Sequence, residues 1–226
     1  ASDVYKRQTL NRPRELNAYN MAMRDEFAQV LYAIKTDPDI GVIILGGSGK
    51  AFCAGADLKE FGTSPSISIA RSVRWERDIW GSFLDVEKPM IAVIDGYCLG
   101  SGLEIALLFD FRIASQNALF GMTEVRLGMI PAAGGTQTLP RLTTTSKALE
   151  LLLTSRYIDS KEALEWGLIN TISANGTLDK EATQLAHSLL EVNSLVMQAA
   201  KQALREANDI TFDQGLDLEA RLAAIT

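Results

Sequence analysis

The sequence contains few of the residues on which nucleophilic and metal sites usually depend. Its 226 residues include one histidine, His187, and two cysteines, Cys53 and Cys98. Their positions match no metal-ligand or disulfide spacing. With a single histidine, the sequence has almost no residues from which a Ser-His-Asp or Cys-His catalytic system could be formed. We therefore expect no metal site, a structural role for His187, and a reducing compartment such as the cytoplasm.

A basic cluster and a long apolar run are missing too. The net charge is -6 and lysines and arginines do not cluster, so a polyanion such as nucleic acid would be repelled. No run approaches the roughly 18 apolar residues that cross a membrane, and the first residues carry no signal-peptide pattern. With 47% hydrophobic and 22% charged residues, the composition is typical of one soluble globular domain.

Hydrophobic periodicity predicts strands alternating with helices, followed by helices alone. Apolar residues at helical spacing from Met23 to Ile34 predict an amphipathic helix that Pro38 ends. Short apolar runs predict buried strands at residues 41–45, 89–95 and 111–115, and a compact helix at 102–109 links the last two. Further helices are predicted at residues 147–153, 161–166, 178–191 and 195–208.

These elements predict a single domain, because the sequence shows neither an internal repeat nor a linker. Residues 9–145 are assigned to an α/β core, and residues 146–226 to a helical C-terminal region of the same domain. Residues 1–8 are interpreted as a non-native leader and left out of the fold, because they supply no recognisable strand.

Two glycine-containing segments beside predicted strands carry candidate chemistry. The first, at residues 46–60, lets backbone N–H groups approach a ligand or simply makes turns, and it matches neither phosphate-loop nor dinucleotide-binding patterns. In the second, at residues 95–104, a helix begins where a strand ends and presents unpaired N–H groups. Its Glu104 is either a functional carboxylate or a residue that complements the helix dipole.

A third segment, at residues 120–137, places Glu124 between apolar residues and a loop of glycine, proline and alanine. Burial there would raise the pKa of its carboxyl group toward the range useful for acid catalysis. The alternative is a surface glutamate paired with Arg126. Periodicity alone does not show whether Glu104 and Glu124 meet in space.

Taken together, these segments resemble the crotonase superfamily, also called the enoyl-CoA hydratase/isomerase family, over residues 10–226. The hallmark motifs correspond to AFCAGADL at 51–58, GYCLGSGLE at 96–104, GMIPAAGGTQ at 128–137 and ALEWGLIN at 163–170. The resemblance implies an α/β, crotonase-like fold of stacked ββα units with a C-terminal helical region. Family members begin with a strand before Asn11-Arg12-Pro13 and continue past residue 226, so it also implies a chain truncated at both ends.

By the same resemblance, the backbone N–H groups of Ala56 and Ser101 form an oxyanion hole for a thioester carbonyl. Ser101 stands where the family usually has glycine. Glu104 and Glu124 are implied to flank one water, with Glu104 deprotonating it and Glu124 protonating the α-carbon of the substrate. Such a pair titrates as a unit, so its apparent pKa values belong to both residues, and the division of roles between them stays open.

The resemblance also implies where the substrate lies. Coenzyme A is expected along Ala54, Asp57, Leu58 and Lys59, with Gly100 also in contact, and it is part of the substrate, so no separate cofactor is implied. Candidates for the acyl pocket are residues that core packing explains at least as well: Trp75, Trp80, Phe83 and Leu84.

We expect an enoyl-CoA hydratase that adds water syn to a 2-trans-enoyl-CoA and assembles as a homotrimer or a dimer of trimers. One alternative is an enoyl-CoA isomerase or another reaction using the same oxyanion hole, although such relatives often keep one of the two acids. An alternative of another class is a non-catalytic acyl-CoA-binding protein, which the Ser101 change favours. Ala132 and Thr138 also depart from the family pattern near Glu124.

Overall fold

The computed structural model describes residues 4–63, 66 and 78–226, which form two sheets and surrounding helices. The strands are β1 Val4–Leu10, β2 Ile40–Gly47, β3 Ala51–Cys53, β4 Met90–Ile94, β5 Tyr97–Leu99, β6 Phe111–Ser115, β7 Leu119–Gly121, β8 Ile158–Asp159 and β9 Thr171–Ser173. The helices are α1 Met21–Thr36, α2 Ile79–Leu84, α3 Ser101–Leu107, α4 Gly135–Leu142, α5 Thr145–Thr154, α6 Ser160–Glu165, α7 Leu178–Leu190, α8 Ser194–Glu206 and α9 Phe212–Ala223.

Three long strands of the first sheet are each followed, after a tight turn, by a short strand of the second. The first sheet has the order β1-β2-β4-β6-β9 and is parallel, and the second has the order β3-β5-β7-β8, with β8 antiparallel. Gly96 turns the chain from β4 to β5 with φ +66°, where a β-carbon would lie 2.0 Å from the Lys50 carbonyl oxygen. The units β2-β3, β4-β5 and β6-β7 confirm the predicted stacked arrangement.

The first sheet is buried on both faces, as its short apolar runs predict. Along β2, Val42 packs with the small residues Ala182 and Ala186 of α7. The neighbouring residues Ile43 and Leu45 point to the opposite face and join the main core. Each fully buried side chain of this kind contributes about 1.5 to 3 kcal/mol, so the sheet is a rigid platform for the turns and loops at the ends of its strands.

The amphipathic pattern after the first loop forms α1, as predicted. Asn20 caps the helix by accepting a hydrogen bond from the Met23 N–H at 3.0 Å. Met23, Phe27 and Ile34 are buried on one face, and the helix ends before Pro38. None of the helices in the described residues is long and apolar enough to cross a membrane.

The interpretation of residues 1–8 as supplying no strand is wrong. Residues Val4–Leu10 form β1, which pairs in parallel with β2 along its length. Tyr5 also packs edge-on against His187 of α7, with ring centroids 5.5 Å apart. The strand lies at the sheet edge and is mostly polar, so it lacks the apolar alternation that would have identified it. The strand that family members have before Asn11 is therefore present.

The prediction of helices alone after residue 146 is also wrong in part. The predicted helices are present as α5 to α8, but β8 joins the second sheet beside β7, and β9 joins the first beside β6. Both strands span only two or three residues, which is too short for a hydrophobic pattern to develop. The α/β core therefore extends well beyond residue 145, and the boundary placed there does not divide the fold.

Candidate active site

The second sheet brings the three glycine-containing segments to one edge. Its strands β3, β5 and β7 run parallel, with Cys53 paired to Cys98 and Leu99 paired to Gly121. Because parallel strands end on the same side of a sheet, the chain leaves all three at the same edge. The segments that converge there are residues 54–57, 100–104 and 122–124.

Ala56 and Ser101 lie in adjoining turns at this edge. Ala56 follows β3, and Ser101 is the first residue of α3. The turns pack closely enough that a β-carbon at Gly102 would lie 2.2 Å from the Cys53 carbonyl oxygen. Within the described part of the chain, neither the Ala56 nor the Ser101 N–H donates to another backbone group. Both N–H groups are therefore candidates to donate a hydrogen bond to an oxygen of a ligand.

The backbone at position 101 suits serine. In the described ranges, the non-glycine residues with positive φ are Leu16, Asn17 and Ser155. Ser101 instead begins a helix, where its side chain meets no steric restriction of that kind. The departure from glycine thus leaves a normal main-chain donor.

Glu104 lies in the first turn of α3 and is 1% exposed. Its Oε1 accepts hydrogen bonds from the N–H groups of Ala133, at 2.8 Å, and Gly135, at 2.9 Å, where α4 begins. A β-carbon at Gly135 would lie only 3.0 Å from this oxygen, so glycine allows the approach. Two main-chain donors on one oxygen stabilise the negative charge of an ionised carboxylate. Glu104 therefore does more than complement a helix dipole.

Glu124 begins the 3-10 helix Glu124–Leu127, which follows β7. Burial raises the pKa of its carboxyl group, and backbone hydrogen bonds act in the opposite direction. Its Oε2 is buried and has no hydrogen-bond partner among the residues described. The alternative of a surface glutamate paired with Arg126 is wrong, because Glu124 is half-buried with Oε2 unpaired in the described ranges, and the Arg126 guanidinium group donates instead to the Thr154 carbonyl at 3.3 Å. A raised pKa and an unpaired oxygen are typical of an acid that serves a ligand.

Gly100 contacts the side chain of one glutamate and the main chain of the other. The Oε1 of Glu124 is 2.8 Å from the position that a β-carbon at Gly100 would take. The Glu104 N–H donates to the Gly100 carbonyl at 2.9 Å. The fold therefore brings the Glu124 carboxylate to Gly100, the residue that precedes α3, and the first turn of α3 carries Glu104.

The segment assigned to coenzyme A is only partly exposed. Leu58 is 57% exposed, Lys59 is exposed and Ala54 is half-buried. Asp57 is buried, with one oxygen 2.8 Å from the Arg12 guanidinium group and the other accepting the Lys59 N–H at 3.1 Å. The Arg12 hydrogen bond holds the pKa of Asp57 below its usual range. The Asp57 side chain is therefore engaged within the protein.

The acyl-pocket candidates divide between core and surface. Phe83 is 2% exposed and packs between Phe27 and Phe109, as a core residue does. Trp80 is half-buried against Tyr19, with ring centroids 5.6 Å apart, and Leu84 is 54% exposed. Trp75 lies outside the described residues.

Sequence reasoning missed two residues, Arg12 and Asn17, that hold the loop around Ala56. Asn17 is fully buried, and its side chain donates to the carbonyls of Ser48, at 2.9 Å, and Ala51, at 2.7 Å. The Asn11-Arg12-Pro13 motif was a signal for the first of them, but spacing does not reveal which distant loop a polar side chain reaches.

Comparisons with known proteins agree with this architecture. A model of the enoyl-CoA hydratase/isomerase family matches residues 6–226. The 2,3-dehydroadipyl-CoA hydratase of Escherichia coli K12 is 37% identical over 95% of this chain and 83% of that protein. The mitochondrial enoyl-CoA hydratase of Pongo abelii is 37% identical over 94% of this chain and 73% of that protein. The crystal structure of enoyl-CoA hydratase from Bacillus anthracis has a TM-score of 0.91 at 35% identity, covering 96% of this chain and 85% of that chain.

The two stacked sheets and the carboxylates at their edge define an α/β protein of the crotonase type. This chain belongs to the enoyl-CoA hydratase/isomerase family. The resemblance drawn from the motifs is thereby confirmed. The family match begins at residue 6, inside β1, which agrees with the pairing of that strand in the first sheet.

Proposed function

We propose that this chain is an enoyl-CoA hydratase, which adds water to the double bond of a 2-trans-enoyl-CoA. The contrast between the surroundings of the Glu104 and Glu124 carboxyl groups carries the proposal. Glu104 has two N–H donors on one oxygen, whereas burial raises the pKa of Glu124 and leaves its Oε2 unpaired. A carboxyl group held by main-chain donors is suited to act as a base, and one whose pKa is raised is suited to act as an acid.

In the proposed reaction, the thioester carbonyl accepts hydrogen bonds from the Ala56 and Ser101 N–H groups. Preorganised donors of this kind stabilise the charge on an enolate oxygen by about 3 to 4 kcal/mol each. Glu104 takes a proton from water as the water oxygen bonds to the β-carbon, and Glu124 gives its proton to the α-carbon from the same side. Glu104 ends protonated and Glu124 ionised, so one proton passes between them before the next turnover.

The substrate would supply the only non-protein group. Coenzyme A is proposed to lie along Ala54, Leu58 and Lys59, with the main chain of Asp57 and with Gly100 at the thioester end. The exposed ammonium group of Lys59 suits the phosphate groups of coenzyme A. Both proton transfers use protein carboxyl groups, so the mechanism calls on no metal or separate cofactor.

A double-bond shift is the second candidate activity, because the same oxyanion hole would stabilise its enolate. That reaction moves a proton between two carbons and needs one acid-base group. The presence of Glu104, fixed by Ala133 and Gly135, favours hydration. A silent acyl-CoA-binding protein is less well supported, because it would have no use for the unpaired oxygen of Glu124.

Assembly and location belong to the same proposal. We propose a homotrimer or a dimer of trimers, supported by apolar side chains that α8 and α9 leave exposed: Leu204 at 75%, Phe212 at 81% and Leu216 at 48%. A compartment that keeps thiols reduced, such as the cytoplasm, is supported by the two buried free cysteines. Light scattering on the purified chain tests the assembly directly.

The loss of enoyl absorbance from crotonyl-CoA tests the activity. Wild type should consume crotonyl-CoA, and Glu104→Gln and Glu124→Gln should each lower kcat by about 100-fold or more, because each loses a proton-transfer step. If wild type consumes none of it but converts a 3-enoyl-CoA into the conjugated isomer, the chain is an isomerase. Stabilisation by an acyl-CoA without either reaction would instead identify a binding protein.

A further inference from the structure

The loop that carries Ala56 is bonded on both sides to a segment from the start of the chain. The Ala54 N–H donates to the Leu16 carbonyl at 3.0 Å. The Tyr19 N–H donates to the Gly55 carbonyl, and the Asp57 N–H donates to the Tyr19 carbonyl, both at 2.8 Å. These bonds form a parallel bridge between Tyr19 and Ala56. We call residues 12–20 the strap.

The strap has a conformation that needs support. Leu16 and Asn17 have φ values of 50° and 57°, in the left-handed region that non-glycine residues rarely adopt. Arg12 and Asn17 close the turn, because the Arg12 N–H donates to Asn17 Oδ1 at 2.8 Å and the Asn17 N–H donates to the Arg12 carbonyl at 2.9 Å. The strap is therefore bent by specific bonds rather than by its intrinsic preference.

The Arg12 side chain joins the strap to the loop beyond Ala56. One arm of the guanidinium group donates to the Ala18 carbonyl, and another donates to Asp57 Oδ2 at 2.8 Å. Arg12 is 26% exposed and the Asp57 side chain 9% exposed, so water screens this ion pair less than an exposed one. The planar fork of arginine contacts two acceptors at once, whereas lysine presents a single compact charge.

We propose that Arg12 is a positioning residue, which acts through Asp57 and the Tyr19 bridge to hold the Ala56 N–H in the direction of a thioester carbonyl. The inference rests on the proposed function, because it takes Ala56 to be an oxyanion-hole donor. Such a donor acts only while it points at the place where charge develops, and small misplacements at an active site cost large factors in rate. Arg12 itself touches no reacting atom.

Four variants test the coupling. Arg12→Gln removes the charge and the fork, Arg12→Lys restores a charge, and Asp57→Asn keeps an acceptor for the Lys59 N–H. The Arg12→Gln/Asp57→Asn double variant then shows whether the two residues act as a unit. The Arg12 side chain is 26% exposed, so solvent can reach the place of the lost group and the variants should fold.

The matched control is Arg7→Gln, which breaks the ion pair of Arg7 with Asp179. Arg7 is 34% exposed, close to the value for Arg12, but it lies in β1 and contacts none of the site residues described. Denaturation midpoints of all variants separate loss of stability from loss of positioning. Because the Asp179 side chain is 75% exposed, the control should lose little stability, and it should keep the wild-type kcat.

Two readouts report on Ala56. With crotonyl-CoA, Arg12→Gln should lower kcat about tenfold or more and change KM less than threefold, Arg12→Lys should recover part of kcat, and the double variant should lose no more than Arg12→Gln. With 4-(dimethylamino)cinnamoyl-CoA, whose absorption moves to longer wavelength when its carbonyl is polarised, the shift on binding should be smaller in Arg12→Gln.

The spectral readout separates this inference from the proposed function. If wild type shifts the probe spectrum but hydrates no enoyl-CoA, the proposed hydratase activity is wrong. The role of Arg12 is then decided by comparing the spectral shift in Arg12→Gln with that in wild type. Arg12→Gln with the full wild-type shift and kcat would overturn it, as would losses that only match those of Arg7→Gln. If wild type binds the probe without a shift, the oxyanion hole is not at Ala56, and the inference fails with it.

Discussion

One oxygen of Glu124 lies 2.8 Å from the place where Gly100 would carry a β-carbon. Gly100 also has φ +50°, a backbone conformation that residues other than glycine rarely adopt. These two reasons for glycine at position 100 can be tested separately. Loss of the contact with Glu124 should affect activity, whereas a side chain at a positive φ should affect stability.

Gly100→Ala should lower kcat by roughly 10- to 100-fold, because the added methyl group displaces the Glu124 carboxyl group. Gly176→Ala is the matched control: Gly176 has φ +79°, and a β-carbon there would meet nothing within 4 Å. Gly176→Ala should cost about 1 to 2 kcal/mol of unfolding free energy for its positive φ, and Gly100→Ala should cost more, because φ 50° with ψ -125° is a conformation that essentially only glycine adopts. A kcat preserved in both variants would show that the place of Glu124 does not depend on Gly100.

The raised pKa of Glu124 predicts how Glu124→Gln changes stability with pH. A carboxyl group whose pKa is higher in the folded protein binds more protons there, so its contribution to the unfolding free energy falls as pH rises from the unfolded pKa through the folded one. Urea unfolding should therefore favour Glu124→Gln over wild type more at pH 8 than at pH 4. A difference that stays constant over this range would contradict burial as the cause of the raised pKa.

The same shift predicts the alkaline limb of activity. If Glu124 acts as the acid, kcat/KM for crotonyl-CoA in wild type should decrease as pH rises through the raised pKa of its carboxyl group. The Glu124→Gln variant should retain a small residual rate without that limb. An alkaline limb that persists unchanged in the variant would assign it to another group.

The sequence predicted those parts of the fold that bury apolar side chains in a regular pattern. The strands β2, β4 and β6 and the helix α1 appear within a few residues of their expected positions, because burial on a defined face requires that pattern. β1 escaped detection because an edge strand is held by backbone pairing with β2 and needs few apolar residues. β3, β5 and β7 span three residues each, and their pairing is non-local.

The candidate site could be predicted only in part for the same reason. Glu104 and Glu124 each stood out beside glycines, but the approach of Glu124 to Gly100, just before the helix that carries Glu104, depends on the pairing of β5 with β7, which no local pattern contains. The contact of Arg12 with Asp57 joins residues 45 positions apart. A side chain that acts over such a distance resembles any surface arginine until the fold is known.

The two cysteines should be unreactive in the folded protein. Cys53 and Cys98 are both fully buried, and burial raises the pKa of Cys53 to about 11 and that of Cys98 also well above its usual value. Because the thiolate is the reactive form, iodoacetamide at pH 8 should label the native chain roughly 100-fold more slowly than the urea-unfolded chain. Mass spectrometry counts the labelled thiols, and rapid native labelling would show that β3 and β5 separate readily.

Lys201 of α8 is charged at a position where folding disfavours the charge. Its side chain is 9% exposed and donates to Asp110 at 2.6 Å and to the Lys88 carbonyl at 2.7 Å. Burial nevertheless lowers the pKa of Lys201 to about 8, because desolvation outweighs the attraction of Asp110. The ion pair that attaches α8 to the core therefore stabilises the fold less than its short distance suggests.

The lowered pKa of Lys201 fixes the sign of its pH effect. Between about pH 8 and the usual lysine pKa of 10.5, the unfolded chain binds more protons than the folded one, so the contribution of Lys201 to the unfolding free energy rises with pH. The gap corresponds to roughly 3 kcal/mol. The difference in unfolding free energy, wild type minus Lys201→Met, should therefore grow by up to about this amount between pH 7.5 and 10.5 in urea titrations. Lys35→Met, which removes a lysine that is 55% exposed beside Asp85, is the control. A flat difference for Lys201→Met would mean that Asp110 fully offsets the cost of burying the charge.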